Sequence, residues 1–187
     1  MGNASSALSN AIRLGTVAEV NLATSRCRLQ VGEMLTDYLP WVVTLAGTTI
    51  VWSPPAIGEQ VVVLSPAGDL ADGVVLRGLY SDQFAAPAAS DTLHVLRFAD
   101  GAQIHYDTGA HALQATLPSG GTASITADGG ITLNGPLTVN GKTMLNGDAT
   151  IAGTAKATTD VIGGGISLKN HKTTGVTAGS ALSGGPQ

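Results

Sequence analysis

The sequence is short of charge, aromatics and cysteine. Charged residues make up 12% of the 187 positions and aromatics 4%, and one cysteine is present. A typical soluble domain carries about 25% charged residues. Low charge raises the question of a membrane span, but no run of about 20 apolar residues exists to cross a bilayer. The opening MGNASSALSNAIR lacks a basic stretch followed by an apolar segment, so no signal peptide is expected. A lone Cys27 excludes an intrachain disulfide framework. It lies in RCRLQV, where Cys27, Leu29 and Val31 share one face of an alternating strand, so a small buried hydrophobe is expected there. The net charge of −4 and the lack of a basic cluster argue against nucleic-acid binding, which needs Lys and Arg gathered on one face.

The scarce aromatics are also unevenly placed. Tyr38, Trp41, Trp52, Tyr80, Phe84, Phe98 and Tyr106 all precede residue 107, and none follows. The second half must bury small aliphatic and β-branched groups around something narrow.

What is present is glycine, at 25 positions, and regular alternation. Residues 1–12 read as a weak helical or disordered arm. Five short strands are expected next, at Leu14–Asn21, Arg26–Val31, Trp41–Leu45, Gln60–Leu64 and Gly73–Leu79. Gly, Pro and Asp clusters separate them, as in SPPAIGE and SPAGDLADG. Five strands over residues 13–82 fit a small barrel of the OB type, with a plain meander as the alternative. Residues 83–92 are small, polar and Pro-containing, as a linker is. LHVLRF, AQIHYD and ALQATL then predict a β-meander neck over residues 93–123, with Asp100–Gly101 at a turn.

From Ser124 the chain divides into hexads: SITADG, GITLNG, PLTVNG, KTMLNG, DATIAG, TAKATT and DVIGGG, spanning residues 124–165. Glycine closes all but the sixth, which ends in Thr159. The second and fourth positions are mostly apolar, and two-residue spacing puts them on one side of a strand. The candidate shaft core is Ile125, Ile131, Leu133, Leu137, Val139, Leu145, Ile151 and Val161. Later inner positions shrink to Ala155, Ala157 and Gly163, so the core tapers.

Three architectures use such hexads. Asn134–Gly135, Asn140–Gly141 and Asn146–Gly147 are hairpin turn signals, but the arms between them are too short for good ladders. A single-chain β-solenoid is a second option, although seven hexads make little more than two three-sided coils. In the third, three chains wind about one axis and pair their backbones between chains. That closure removes free sheet edges and leaves a monomer unstable in this region.

Segments along the whole chain carry a more specific signal. LGTVAEVNLATSRCRLQVG (14–32), WVVTLAG (41–47), PPAIGEQVVVLSPAGDLADGVVLRGLYSD (54–82), FADGAQIHYD (98–107), the hexads and ISLKNHKTTGV…GGPQ (166–187) together resemble the phage baseplate assembly protein V family. These are the central spikes of contractile myophage tails and R-type pyocins. The resemblance implies an all-β homotrimer with an N-terminal OB-fold barrel, a neck and a triple-stranded β-helix needle. It also implies attachment to baseplate hub and tail tube proteins, a tip over residues 166–187, and mechanical puncture of a bacterial outer membrane. The particle it implies is a phage tail baseplate or bacteriocin, assembled in the producing cell's cytoplasm. The family's tip carries a His-x-His motif whose imidazoles, from three chains, enclose one iron. Here His171 matches the first ligand and Thr173 replaces the second. Three His171 side chains with water or hydroxyl oxygens would bind Fe, Zn or Ni. The alternative is a histidine hydrogen-bonded to a folded-back tail.

Other chemistry is sparse. His94, His105 and His111 form no metal-spaced motif and read as structural. Asp100, Asp107 and Asp128 adjoin Gly-containing turns, where Asp bonds to backbone. No nucleophile elbow, P-loop or Rossmann turn is present. The competing function is a tailspike-type glycan or cell-wall hydrolase or receptor-binding protein, which wants clefts and aromatic sugar platforms. An OB-type nucleic-acid binder, a third class, wants basic grooves and stacking aromatics.

Overall fold

The computed structural model describes residues 10–172 together with Gly175 and Gly179. The expected N-terminal arm and the last residues of the tip, Thr173 included, lie outside the described residues, apart from residues 10–12 and the two glycines. The chain divides into two units, residues 1–125 and 126–187. Every described regular element but two short 3-10 turns is a strand.

The first unit contains a barrel. Its strands are β1 (Ile12–Asn21), β2 (Arg26–Val31), β3 (Met34–Leu35), β4 (Leu39–Pro40), β5 (Gln60–Leu64) and β6 (Val74–Leu76). β1 pairs with both β2 and β5, β2 also pairs with β4, and β5 pairs with β6, all antiparallel. The circuit closes where Trp41, just past β4, bridges in parallel to Val75 of β6, and Val42 N donates to Val75 O at 2.8 Å. Closure leaves few unpaired edges. A bulge in β1 between Val17 and Glu19 supplies the bend that the curved sheet needs.

Alternation explains what the barrel encloses. Cys27, Leu29 and Val31 of β2 point inward with Val61 and Val63 of β5, Val17, Leu39 and Val75. Each is 2% exposed or less. Thr36 enters this apolar interior with its polar atoms matched: its hydroxyl accepts from Leu29 N at 2.9 Å and donates to Asp37 O at 2.8 Å.

The expected Trp41–Leu45 strand is corrected to Leu39–Pro40 plus one bridge at Trp41. Beyond Trp41 the chain leaves the sheet and turns at Gly47, with Val51 N bonded back to Leu45 O at 3.0 Å. The apolar side chains of Val42, Leu45 and Ile50 are exposed there. The expected Gly73–Leu79 strand shortens to Val74–Leu76, because Arg77 turns to pair with Glu59 and Gly78 adopts a φ of 102°.

After a stretch without strands, β7 (Leu93–Arg97), β8 (Gln103–Asp107) and β9 (Ala112–Thr116) form an antiparallel meander. Its turns use the carboxylates expected at them. Asp100 accepts from Ala102 N at 3.0 Å, and Asp107 accepts from Gly109 N at 2.8 Å and Ala110 N at 3.2 Å. Those two backbone bonds, Ala110 first, hold the Asp107 carboxyl below its usual range.

In the second unit the strands are β10 (Ile162–Gly163) and β11 (Ile166–Ser167), paired as a hairpin. Between β9 and β10, residues 117–161 contain no strand.

Candidate functional site

The hexads give the first part of the site. Their expected core residues are all exposed, from 51% at Val161 to 78% at Ile125, with Leu133, Leu137, Val139, Leu145 and Ile151 between. None of the described residues folds over them. The backbone is equally unpartnered among the described residues: between residues 122 and 160 the one backbone hydrogen bond among them runs from Gly130 N to Ala127 O, at 3.0 Å. Neither Asn-Gly hairpins nor a single-chain solenoid forms, since both would pair these residues within the chain.

The glycines point the same way. Gly129, Gly141, Gly147 and Gly153 close hexads, yet none has a left-handed φ, and a Cβ at each would meet nothing within 4 Å. No feature of the single chain requires glycine at these four positions.

The second part is the apex hairpin. The seventh hexad, DVIGGG, is not a free-standing repeat here: it enters β10 and turns back through Gly164 and Gly165 into β11. Both glycines have positive φ, 58° and 84°, as a two-residue type I′ turn requires. Asp160 clasps the base. Its Oδ1 accepts from Val161 N at 2.8 Å and Lys169 N at 3.0 Å, and its Oδ2 accepts from Ser167 Oγ at 2.5 Å. The Ser167 bond first, then that of Lys169, lowers the Asp160 pKa. Ser167 Oγ also accepts from Asn170 N at 2.9 Å, so the clasp carries the chain towards His171.

His171 is exposed, and its Nδ1 lies 2.9 Å from Leu168 O. A carbonyl only accepts, so Nδ1 donates in this contact and Nε2 is the nitrogen left to face a ligand. That is the arrangement of a metal-ligating histidine whose second nitrogen is anchored to backbone. Among the described residues the anchor is the upstream Leu168, and the folded-back tail of the alternative lies outside them. One chain supplies one imidazole: among the described residues no group of three His, Cys, Asp or Glu gathers to hold a metal. A concavity of about 400 Å³ beside the ring is lined by Val161, Gly163, Ile166, Ser167 and Leu168.

Residues 13–80 match the family described as the Type VI secretion system/phage-baseplate injector OB domain. The barrel is thus a baseplate-injector OB domain. Residues 165–187 match the GpV apex motif, so the family's C-terminal element coincides with the hairpin and His171. The spike protein of Escherichia phage P2 is 44% identical over 126 residues, 67% of this chain and 58% of the relative. The match therefore spans less than two thirds of that relative's length. The closed barrel of β1 to β6 falls within the OB-domain match, apart from Ile12.

Reading the sequence singled out the apolar hexad positions and His171 as candidates but passed over Asp160 and Ser167. The available signal was Gly164–Gly165 flanked by Val161–Ile162 and Ile166–Ser167, a hairpin pattern that the hexad count had absorbed as a seventh repeat.

Proposed function

We propose that this chain is the central spike of a contractile injection machine, a homotrimer that punctures a bacterial outer membrane when the sheath contracts. One observation carries the reading. The hexads hold apolar side chains at two-residue spacing, exposed, on a backbone with one internal hydrogen bond. Buried backbone groups must find partners, and apolar strips of this length seek cover. Two further copies satisfy both needs at once, each contributing one short strand in turn to a triple-stranded β-helix. Glycine at 129, 141, 147 and 153, unexplained within one chain, lets three backbones approach at the corners.

In this reading the Phage P2 relative's name and the two family matches support a baseplate spike attached through hub and tail tube proteins. Puncture needs stiffness rather than bond chemistry. An interchain ladder supplies it, because no subunit leaves without breaking many hydrogen bonds together.

At the apex, three His171 imidazoles would meet on the axis and present Nε2 to one transition-metal ion, with oxygen ligands completing its shell. Iron is the family's metal, and zinc or nickel suit the same donors. Elemental analysis of chelator-washed protein is expected to find one such ion per trimer, lost in His171→Ala; no stoichiometric metal would remove this part.

The assembly is tested by light scattering on the purified chain. A mass of three chains of 18.7 kDa, persisting in SDS without heating, is expected. A monomer in mild buffer would overturn the proposal. Release of reducing sugar from host envelopes would favour the hydrolase alternative.

A further inference from the structure

The charges of this chain are segregated by type as well as by sign. All five arginines lie at or before Arg97, where eight carboxylates outnumber them, and all four lysines lie at or after Lys142. From residue 149 onward three lysines, at 156, 169 and 172, face the single acid Asp160, a net side-chain charge of +2. All three lysines are exposed. Asp160 is already occupied by Ser167 Oγ, Val161 N and Lys169 N, and among the described residues the salt bridges lie elsewhere. Lys156 and Lys169 come from different segments and line one concavity of about 520 Å³, along with Thr154, Thr158, Thr159 and the Asp160 carboxylate, whose oxygens are taken up by the hairpin clasp. Ammonium groups and hydroxyl donors around one hollow are the donor set that phosphate oxygens take.

We propose that Lys156, Lys169 and Lys172 form a basic collar at the apex that binds phosphate groups, presented by the anionic headgroups of the target membrane. Lysine suits this task. Its compact charge on a flexible stem engages phosphates whose positions vary, where a rigid arginine fork wants a fixed partner. The inference rests on the trimeric reading for its strength: three-fold repetition turns one weak phosphate contact into a multivalent one. A collar set around the tip would hold the point against the surface before force arrives, and the attraction would act only within a Debye length of about 8 Å at physiological salt.

The full chain is tested by co-sedimentation with vesicles of phosphatidylcholine alone and of phosphatidylcholine with phosphatidylglycerol or lipid A, at low and high salt. Its mass is measured by light scattering in the same buffer. Binding to the anionic vesicles, weakened by salt, is expected. Lys156→Gln/Lys169→Gln/Lys172→Gln is expected to remain trimeric and to bind more than about tenfold more weakly. Lys142→Gln, outside the collar, is expected to bind far better than the triple variant. Inorganic phosphate separates the two sources of the ligand: saturable binding with full competition identifies a free-phosphate site, and absence of competition identifies a headgroup surface. Equal binding to phosphatidylcholine alone, unchanged binding by the triple variant, or no binding to anionic vesicles would overturn the collar. A monomeric wild type would remove the trimeric reading separately. If the triple variant loses its trimer, the single variants that keep theirs decide by whether each weakens binding.

Discussion

Arg77 grips Glu59 with two parallel hydrogen bonds, Nε to Oε1 at 2.7 Å and Nη2 to Oε2 at 2.9 Å. The pair joins the residue before β5 to the residue after β6. It also ties down the loop that leads into β5: Arg77 Nη1 donates to Ser53 O, and Glu59 Oε2 accepts from Ala56 N at 3.0 Å. With 21% and 14% of their side chains exposed, the two partners are substantially desolvated. Arg77→Met leaves a half-buried carboxylate without its cation. It is expected to destabilise the barrel by about 1–3 kcal/mol, below the fully buried range. Trp41 and Trp52, with ring centroids 6.0 Å apart, belong to this half of the chain, so tryptophan fluorescence during urea unfolding reads the barrel selectively.

Cys27 gives the barrel an alkaline limit. Burial pushes its thiol from 9.0 up to about 11, the Arg77 charge opposing and the Glu59 charge adding. The folded state therefore holds the thiol proton more tightly than the unfolded state. Its contribution is whole below about pH 9 and is lost as pH rises through about 11, amounting to the order of 2 kcal/mol. Cys27→Val is expected to flatten the fall in barrel stability over that window. Native Cys27 is also expected to resist a thiol reagent at pH 8 until urea is added.

Asp160 is expected to set the order of the apex. Its lowered pKa means that the clasp is at full strength above the ordinary carboxylate range and fails as pH drops through the folded value. Asp160→Asn weakens the bonds to Ser167 and Lys169, so tryptic cleavage after Lys169 is expected to accelerate at neutral pH. An unchanged cleavage rate would show that the hairpin does not depend on the clasp.

Leu137 has no core to enter within its own chain, so a polar substitution there is an assembly test rather than a monomer stability test. Leu137→Asn places three amides in the proposed shaft axis. Loss of each buried leucine costs about 2–5 kcal/mol. Reduced SDS resistance by gel is expected, with barrel fluorescence unchanged. A variant as SDS-resistant as wild type would argue against Leu137 as a core residue.

The parts of the fold that could be read from the sequence are those where alternation and burial occur in the same chain. β2 and β5 appear where RCRLQV and QVVVL alternate, because their inner residues pack against each other. WVVTLAG carries a similar apolar pattern but forms a loop, since a pattern marks which residues want cover without saying what covers them. The hexads make the same point at larger scale. Their apolar positions are evident, while the described residues of the single chain offer them no cover. Asp160 was hidden for another reason: its role is fixed by three bonds to Val161, Ser167 and Lys169, and no residue spacing announces such a clasp.

Amide hydrogen exchange over residues 124–160 of the purified chain tests the interchain ladder most directly. Alone, this backbone holds one internal hydrogen bond, Gly130 N to Ala127 O, and would exchange almost at the rate of an unfolded peptide. The trimeric spike predicts protection along the hexads equal to or greater than that of β2 and β5 in the barrel. Exchange complete within the shortest labelling time, with the barrel still protected, would contradict it.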